Sequence, residues 1–534
     1  PLYDALFDVK DKLHHVLVRH EQGAAHAAEG YARVSGKVGV CIATSGPGAT
    51  NLVTGIANAM LDSVPIVCIT GQVGSSLLGS DAFQETDIIS ITIPITKWNY
   101  QITEASEIPL ILAKAFHVAR SGRPGPVLID VTKNAFLEKF LPAFVQYQEG
   151  NPKPINPHLD TEKIMLAAQL INDAKRPLMF IGHGVLIARA EHEALKLAEK
   201  AGLPVACTLL GVSAFPTRHP LYVGMLGMHG NLAPNTLTNK ADVIIAVGMR
   251  FDDRVTGNLN SYAPNAQIIH IDIDAAEVGK NVNASIALIG DAKIVLKELF
   301  PLLEERKQTL WMHEFERLHA VENKEVIQKD CFPEDGPIKM GEVLRIVYEK
   351  TQGNAIIVTD VGQNQMMAAR YYQYSNANSF LSSGGLGTMG YALPAAIGAK
   401  FAAPEKNVIA VVGDGGIQMT LQELGTIMQE GITIKILLLN NSFLGMVRQW
   451  QELFFDKRYS YVNLQNPNFA KICEGYGIAV QIIDKREQLD HALEEFLSSP
   501  GSYLLEVKVE EEANVFPMVP TGAAVDSIKL NAAA

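Results

Sequence analysis

Short runs of β-branched and aliphatic residues alternate with amphipathic, helix-length segments along almost the whole chain. This alternation is typical of parallel sheets with helices on both faces, because each parallel strand needs a long crossover to reach the next. The runs form three sets: 39–44, 65–70 and 126–131; 177–181, 204–208, 243–247 and 267–273; and 355–359, 408–412, 434–439, 479–483 and 503–509. The sequence therefore predicts an α/β fold of three doubly wound parallel-sheet domains.

The length of the chain fits this organisation. Its 534 residues, at roughly 150 per domain, allow three to four units. A Pro- and Asn-rich stretch at 149–157 reads as a linker, and a charged, proline-punctuated stretch at 304–336 follows the second set. We therefore predict domains at 1–150, 151–335 and 336–534. The sequence starts at Pro1 rather than Met, so we expect a natural N-terminus to be missing.

Composition excludes several classes of protein. Apolar residues make up 48% and charged residues 19%, which favours compact domains over disorder. The net charge is −12 and no basic block is interleaved with aromatics, so we expect no nucleic-acid partner. Apolar runs are far shorter than the roughly 20 residues that cross a bilayer, and no targeting peptide opens the chain, so we expect no membrane partner. We predict a cytoplasmic, bacterial-like protein, with an organelle left open by the missing N-terminus.

The cysteines carry no chemistry of their own in this pattern. None of the five forms a Cys-x-x-Cys pair, and three lie inside apolar runs that are predicted strands. We predict reduced thiols in the core. They are Cys41, Cys68, Cys207, Cys331 and Cys473.

The strongest chemical signal is Gly-Asp-Gly at 413–415, followed after 24 residues by Asn-Asn at 440–441. Asp414 and Asn441 each follow a predicted strand, and a predicted helix at 419–429 joins the two strands. A right-handed βαβ unit brings the carboxyl ends of neighbouring parallel strands to one edge. One carboxylate and one amide oxygen should therefore converge there.

Such a pair suits Mg²⁺, which takes a few protein oxygens and completes its shell with phosphate and water. The flanking Gly413 and Gly415 would let a diphosphate approach the backbone. Taken alone, Gly-Asp-Gly indicates only an ordinary turn. The length of the crossover and the paired Asn residues instead favour the metal and diphosphate site.

A rival phosphate motif is the Gly-x-Gly-x-x-Gly at 385–390, with Asp414 another 24 residues on. That spacing makes a dinucleotide-binding protein the natural alternative. However, no clear strand runs into Gly385, and Pro394 lies within the following predicted helix. The pattern therefore favours the metal and diphosphate hypothesis.

Glu21 opens a predicted helix that continues to Val34. An acid in the first turn favours the helix dipole and needs no further explanation. If the metal site holds thiamine diphosphate, however, the cofactor needs a protein acid that hydrogen-bonds its aminopyrimidine and promotes deprotonation of the thiazolium C2.

Together these residues resemble the thiamine-diphosphate enzymes. The Asp414 to Asn441 spacing is similar to their cofactor motif, and Arg-His-Glu at 19–21 with Ser-Gly-Pro-Gly-Ala-Thr-Asn at 45–51 resembles their pyrimidine-binding domain. Five further segments resemble the catalytic subunit of the acetohydroxyacid synthases. They are Asp-Ala-Phe-Gln-Glu at 81–85, Ser-Gly-Arg-Pro-Gly-Pro at 121–126, Leu-Gly-Met-His-Gly at 226–230, Arg-Phe-Asp-Asp-Arg at 250–254 and Gly-Met-Val-Arg-Gln-Trp at 445–450.

The resemblance implies roles for the cofactor residues. Glu21 activates thiamine diphosphate, and Met389 supports its bent shape. Asp414, Asn441 and the main-chain carbonyl of Phe443 hold Mg²⁺. Further residues implied to bind this cofactor are Gly362, Gln363, Asn364, Gly387, Gly413, Gly415 and Met446. Family members usually have His in place of Asn364 and an aromatic in place of Met367, and an Asn amide can still donate to phosphate.

The resemblance also implies FAD in the middle domain, without a part in net redox. From the residues alone FAD is not demonstrable, because Gly-His-Gly at 182–184 is merely a turn and Asp272 merely a polar strand end. The implied FAD residues are Arg123, Gly182, Gly184, Thr208, Leu209, Gly248, Arg250, Arg254, Asp272, Ile273, Asp291 and Ala292.

The implied substrates are 2-oxo acids. One adds to the cofactor and loses CO₂, and the remaining two-carbon unit attacks a second ketone. By the same resemblance, Gln84 and Lys133 join Glu21 as catalytic residues, and Phe83, Met228, Arg254, Met446 and Trp450 complete the substrate pocket. The arginine fork can pair with an acceptor carboxylate. Core packing would equally explain Met446 and Trp450, and a solvated strand end would explain Lys133.

We therefore predict an acetohydroxyacid synthase that joins pyruvate to a second pyruvate or to 2-oxobutyrate in branched-chain amino-acid synthesis. A flavin-dependent pyruvate oxidase is the nearest alternative enzyme, and a nucleotide-binding regulatory protein is the alternative without chemistry. The resemblance implies a homodimer or homotetramer with Glu21 of one chain facing Asp414 of another, and a small regulatory subunit as a further partner.

Overall fold

The computed structural model describes residues 1–141, 147 and 160–532. The first sheet is built from β1 (Gly39–Ala43), β2 (Ile66–Gln72), β3 (Trp98–Ile102) and β4 (Val127–Thr132). Its strands are all parallel, in the order β1-β2-β4-β3. Its helices are α1 (Leu2–Phe7), α2 (Glu21–Ser35), α3 (Pro47–Asn51), α4 (Val53–Asp62), α5 (Ile88–Thr92), α6 (Ile108–Arg120) and α7 (Lys133–Leu137).

The second sheet contains β5 (Pro177–Ile181), β6 (Val205–Cys207), β7 (Tyr222–Met225), β8 (Val243–Val247), β9 (Gln267–Asp272) and β10 (Ile286–Ile289). The order is β10-β9-β8-β5-β6-β7, again all parallel. The helices are α8 (Thr161–Asp173), α9 (His183–Ile187), α10 (Glu191–Ala201), α11 (Leu232–Thr238), α12 (Asp253–Thr256), α13 (Ala292–Leu299), α14 (Thr309–Glu322) and α15 (Gln328–Cys331). A π-helical turn, Asn323–Ile327, joins the last two.

The third sheet contains β11 (Ile356–Thr359), β12 (Phe380–Leu381), β13 (Val408–Gly413), β14 (Lys435–Asn440), β15 (Ala479–Ile483) and β16 (Tyr503–Lys508). The parallel order is β12-β11-β13-β14-β16-β15. The helices are α16 (Met340–Thr351), α17 (Gln363–Tyr371), α18 (Ala392–Ala402), α19 (Asp414–Ile417), α20 (Leu424–Glu430), α21 (Gly445–Phe454), α22 (Phe469–Gly475) and α23 (Arg486–Ser498).

The predicted α/β class with three parallel sheets is confirmed, and every predicted strand is present within one or two residues. The strands that the sequence missed are β3, β7, β10 and β12, and all four lie at sheet edges. Strands β7 and β10 have four residues each and β12 has two, while β3 mixes polar with apolar residues, so none of them shows the long apolar run that marks a strand buried on both faces. All five cysteines are free and buried, as expected.

One local expectation was wrong, and a second falls on residues that the structure does not describe. The helix predicted at 419–429 is broken, because a 3-10 turn, Leu421–Glu423, precedes the shorter α20. The linker predicted at 149–157 lies outside the described residues. Among the residues that the structure describes, no helix is both long and apolar enough to span a membrane.

The first and third domains meet through α2 and α18. A Cβ on Gly30 would overlap the carbonyl oxygen of Ala395, and a Cβ on Gly398 would overlap that of Ala27. Glycine at these two positions therefore lets the helix backbones touch. The C-terminal segment crosses to the middle domain, where Val519 N donates to the Met228 carbonyl at 2.8 Å.

Candidate functional site

Asp414 and Asn441 lie at the same edge of the third sheet. Strands β13 and β14 are neighbours, with Gly413 in register with Leu439, so both side chains directly follow paired strand ends. Both are buried, with 1% and 4% of their surface exposed. Both residues therefore follow neighbouring strand ends, where the crossover rule places them, and their joint binding of a metal stays a prediction.

Asn466 bridges the two strand ends, and we call Asp414, Asn440, Asn441, Phe443 and Asn466 the Asp414 corner. Its Nδ2 donates to Asp414 Oδ2 at 2.6 Å and to Asn440 Oδ1 at 3.2 Å. Burial raises the pKa of Asp414, and the bond from Asn466 partly offsets this. Asn466 carries no sequence signal, because it comes from a loop after the motif and is joined to it only by folding.

The corner offers oxygen ligands rather than a cluster of charges. Phe443 N donates to Asn441 Oδ1 at 3.3 Å, which holds the turn after β14. In the described part of the chain, no three His, Cys, Asp or Glu side chains group as a metal cluster. One carboxylate with an amide and a carbonyl suits a hard cation that keeps phosphate or water in its shell.

Helix α17 begins beside this corner. Gly362 has φ +152°, a conformation that side chains rarely adopt. The Asn364 Nδ2 donates to the carbonyl oxygens of Asp360 and Val411, both at 3.0 Å. Its donors are used within the protein, so donation from this amide to phosphate, which the sequence allowed, is not available in this arrangement. Main-chain N–H groups at the start of α17 are the remaining donors.

Asp360 is a buried acid that the sequence analysis did not single out. Its Oδ1 accepts from Val361 N at 2.7 Å and from Gly390 N at 2.8 Å. Burial raises its pKa to about 6. The carboxyl group ties the end of β11 to the loop that carries Met389. Its position after a strand was the available signal.

A cavity of about 1280 Å³ runs between the domains. Most sites for small molecules occupy ~300–1,000 Å³, so this one can hold an extended ligand. It is lined by every residue predicted for FAD except Gly182: Arg123, Gly184, Thr208, Leu209, Gly248, Arg250, Arg254, Asp272, Ile273, Asp291 and Ala292. It is also lined by Gly362, Gly387, Met389, Met446, Met228 and Trp450, from the predicted cofactor and substrate sets.

The glycines after β5 have a packing role. A Cβ on Gly184 would lie 2.6 Å from Gly248 Cα, and a Cβ on Gly182 would overlap the Gly248 carbonyl oxygen. These residues let two turns touch at the cavity wall. Arg123 also lines the cavity, and its Nη1 pairs with Glu277 at 2.8 Å and with Asp274 at 3.4 Å.

Glu21 and Gln84 lie on either side of one turn of the first domain. Asn51 Nδ2 donates to Glu21 Oε2 at 3.0 Å, and a Cβ on Gly48 would lie 3.2 Å from Glu21 Oε1. A Cβ on Gly46 would lie 3.0 Å from the Gln84 backbone. The structure thus brings Glu21 and Gln84 near each other, and Asn51 is a partner that sequence reasoning did not pair with Glu21.

The other first-domain residues are open to solvent. Phe83 is 89% exposed, and Gln84 and Lys133 are also exposed. Neither these three nor Glu21 lines the large cavity of the described residues. Within the described part of the chain, these four residues therefore lie apart from the residues that line the cavity.

Comparisons with known proteins agree with this architecture. Models of the thiamine pyrophosphate enzyme family match here, thiamine pyrophosphate being another name for thiamine diphosphate. They describe the N-terminal binding domain at residues 1–91, the central domain at 164–299 and the C-terminal binding domain at 360–507.

Curated relatives cover nearly the whole chain. The probable acetolactate synthase large subunit of Methanocaldococcus jannaschii is 46% identical over 99% of this chain and 90% of its own length. The acetolactate synthase isozyme 2 large subunit of Escherichia coli K12 is 44% identical over 98% and 93%. The acetolactate synthase large subunit of Corynebacterium glutamicum is 45% identical over 99% and 86%.

Three parallel-sheet domains with the buried Asp414 corner are the architecture of a thiamine-diphosphate-dependent enzyme. Within that class, the chain belongs to the acetolactate synthase large-subunit family. The predicted family and the predicted thiamine diphosphate dependence are confirmed, and the comparisons do not favour the flavin oxidase alternative.

Proposed function

We propose that this chain joins the two-carbon unit of pyruvate to a second pyruvate, giving 2-acetolactate and CO₂. With 2-oxobutyrate as acceptor it gives 2-aceto-2-hydroxybutyrate, for branched-chain amino-acid synthesis. The observation that carries the proposal is the shared cavity. Gly362 and Met389, from the predicted cofactor residues, line it. It is also lined by three residues predicted for the substrate, Met228, Arg254 and Trp450.

Thiamine diphosphate supplies the carbon to which a 2-oxo acid adds and a sink for the electrons left when CO₂ departs. Glu21 is the proposed acid that exchanges a proton with the aminopyrimidine. Asn51 orients its carboxylate by donating to Oε2 at 3.0 Å, which leaves Oε1 for the cofactor. Gln84, across the turn, is proposed to hydrogen-bond the reacting groups, and exposed Lys133 to add positive charge at this edge.

Mg²⁺ is proposed at Asp414, Asn441 and the Phe443 carbonyl. Asn466 occupies Oδ2 of Asp414, which leaves Oδ1 to meet the cation. The backbone at Gly413 and Gly415 and the start of α17 would face the diphosphate. Burial of Asp414 supports this role, because a cation would offset the cost of the buried charge.

The acceptor is proposed to bind between the middle and third domains. The Arg254 side chain is 60% exposed and its ion pair with the exposed Asp253 is 3.8 Å long, so its fork can turn to pair with a carboxylate. Met228 Sδ lies 3.4 Å from Arg254 Nη1. Trp450 and Met446 give an apolar wall that excludes water and favours an acceptor with an extra methylene.

FAD is proposed as a bound group in the remainder of the cavity. The cavity volume and its lining from Gly184 to Ala292 fit an extended dinucleotide, and Arg123 reaches this wall from the first domain. No step of the proposed reaction transfers electrons to it.

The working site is proposed to lie between two copies of the chain. Glu21, Phe83, Gln84 and Lys133 lie off the cavity, and the last three are exposed, as expected if a partner covers them. A dimer then contains two sites. The relatives are called large subunits, so a small regulatory subunit is a further proposed partner, and the cytoplasm is the proposed location.

The test is incubation with pyruvate, thiamine diphosphate, Mg²⁺ and FAD, with and without 2-oxobutyrate. We expect 2-acetolactate and 2-aceto-2-hydroxybutyrate, and no hydrogen peroxide. Acetyl phosphate or acetate with peroxide would instead make the chain an oxidase.

A further inference from the structure

A buried ion pair holds the loop that carries Met228. We call residues 225–232 the acceptor loop. Arg370 lies on α17 of the third domain, and Glu322 is the last residue of α14, a helix that packs on the second domain. Arg370 Nη2 and Glu322 Oε1 are 2.6 Å apart, and the side chains are 1% and 0% exposed.

Both partners also bind the acceptor loop. Arg370 Nη1 donates to the carbonyl oxygens of His229 and Gly230, at 3.1 and 3.0 Å. Glu322 accepts from Asn231 Nδ2 at 2.8 Å and from Leu232 N at 2.7 Å. Four consecutive loop residues are thus held by one charge pair that belongs to neither the loop nor the second sheet.

The held segment begins one residue after Met228. Met228 N donates to the Arg254 carbonyl at 2.7 Å, so the loop also fixes the backbone of Arg254. The Met228 and Arg254 side chains touch and both line the cavity. A shift of the loop backbone therefore moves both side chains that are proposed to meet the acceptor.

Stability alone is a weak reason for such a pair. Burying two charges costs desolvation energy, and apolar residues of similar volume often serve stability equally well. The arginine fork and the carboxylate instead impose direction on backbone groups, which apolar packing does not. Glu322 also directly precedes the π-helical turn Asn323–Ile327, a distortion that is frequent at functional sites.

We propose that Arg370 and Glu322 are positioning residues that fix the acceptor loop and thereby set the choice between pyruvate and 2-oxobutyrate as acceptor. This inference rests on the proposed function. The pair touches neither the substrate nor the cofactor, and it acts through Met228 and Arg254.

The first test is a competition assay with both acceptors, on Arg370→Gln and Glu322→Gln. We expect the ratio of 2-aceto-2-hydroxybutyrate to 2-acetolactate to change on the order of 10-fold, the low end of what one methylene is worth in a shaped pocket. The control is Arg486→Gln, which removes the 2.8 Å pair with Glu342 away from the cavity. An unchanged ratio in the loop variants, or an equal change in the control, overturns the inference.

The second test needs no substrate. Hydrogen exchange of the 225–232 amides, followed by mass spectrometry, should quicken in both loop variants and not in Arg486→Gln. Arg370→Lys keeps a buried cation but loses the fork, so it should fold even if Arg370→Gln does not, and it should still show faster exchange and a changed ratio. Wild-type exchange and ratio in Arg370→Lys overturn the inference. If the wild-type chain makes neither product, the proposed function itself is wrong, which is a different result.

Discussion

The first and third sheets both carry candidate functional side chains near the carboxyl ends of their strands, but the side chains of the two edges differ in solvent exposure. In the third domain, Asp360, Asp414 and Asn441 are at most 4% exposed. In the first domain, Phe83 is 89% exposed and Lys133 is also open to solvent. One chain therefore buries the edge at which we propose the metal and the diphosphate, and exposes the edge at which we propose the proton transfer.

The difference follows from what covers each edge. The C-terminal segment reaches the third edge, where Gln363 Nε2 and Arg448 Nη2 both donate to the Ala513 carbonyl at 2.7 Å. The first domain packs against the third through α2 and α18, where glycines bring the helix backbones into contact. Its carboxyl edge is left for another surface, which we propose to be a second copy.

Replacing the acid of the open edge should have the largest effect. Glu21→Gln keeps the size of the side chain and the contact with Asn51 but removes the exchangeable proton. We expect turnover and cofactor C2 proton exchange to fall on the order of 10² to 10⁴, the range for a positioned acid or base. NMR of C2 exchange measures this, and an unchanged melting temperature shows an intact fold. Near-normal exchange would refute the role of Glu21.

The buried edge should respond through the metal. Asp414→Ala removes the charged side chain of the corner, so we expect affinities for Mg²⁺ and thiamine diphosphate to fall together by about 10- to 100-fold or more. Titration calorimetry measures both. The matched control is Asp490→Ala, an exposed acid that pairs with Lys350. Cofactor binding that is independent of the divalent cation would contradict the assignment.

Mixing the two inactive variants tests whether Glu21 and Asp414 of one site come from different chains. If Glu21 of one copy faces Asp414 of another, heterodimers of Glu21→Gln and Asp414→Ala contain one intact site. An equal mixture should then recover about one quarter of wild-type activity, since half of the dimers are mixed and each has one of two sites. No recovery, with heterodimers demonstrated by differential tags, would mean that the site forms within one chain.

The smallest effect concerns stability at the buried edge. Burial raises the pKa of Asp360 to about 6, above its value in the unfolded chain, so the folded state favours the protonated acid. The stabilisation of the folded state that comes from this raised pKa is fully present below about pH 4 and is lost as the pH rises through 6. Asp360→Asn does not titrate. The melting temperature of Asp360→Asn relative to wild type should therefore increase by a few degrees from pH 4.5 to 7.5, measured without cofactors. A flat difference would contradict the raised pKa.

Much of the third edge was predictable because the information is local. The 24-residue gap between Gly415 and Asn440 and two apolar runs were sufficient, since the handed crossover rule fixes neighbouring strand ends. The partner Asn466 was not predictable, because it comes from a loop beyond β14 with no fixed spacing to Asp414. Asp360 does follow a predicted strand, but its contact with Gly390 N, like the contacts of the Asn364 amide with the Asp360 and Val411 carbonyls, forms only on folding.

The sequence by itself determined the parallel sheets, their interior strands and the placement of Asp414 and Asn441 at one sheet edge, and its motifs resemble a family that implied the class of cofactor. These follow from periodicity, spacing and motif, which operate over a few dozen residues. Only the tertiary structure decided which edge is buried, that one cavity joins the middle and third domains, and that Arg370 and Glu322 hold the Met228 loop. Those contacts join residues far apart in sequence, and a single chain carries no periodic signal for a contact that forms only when separate domains pack together.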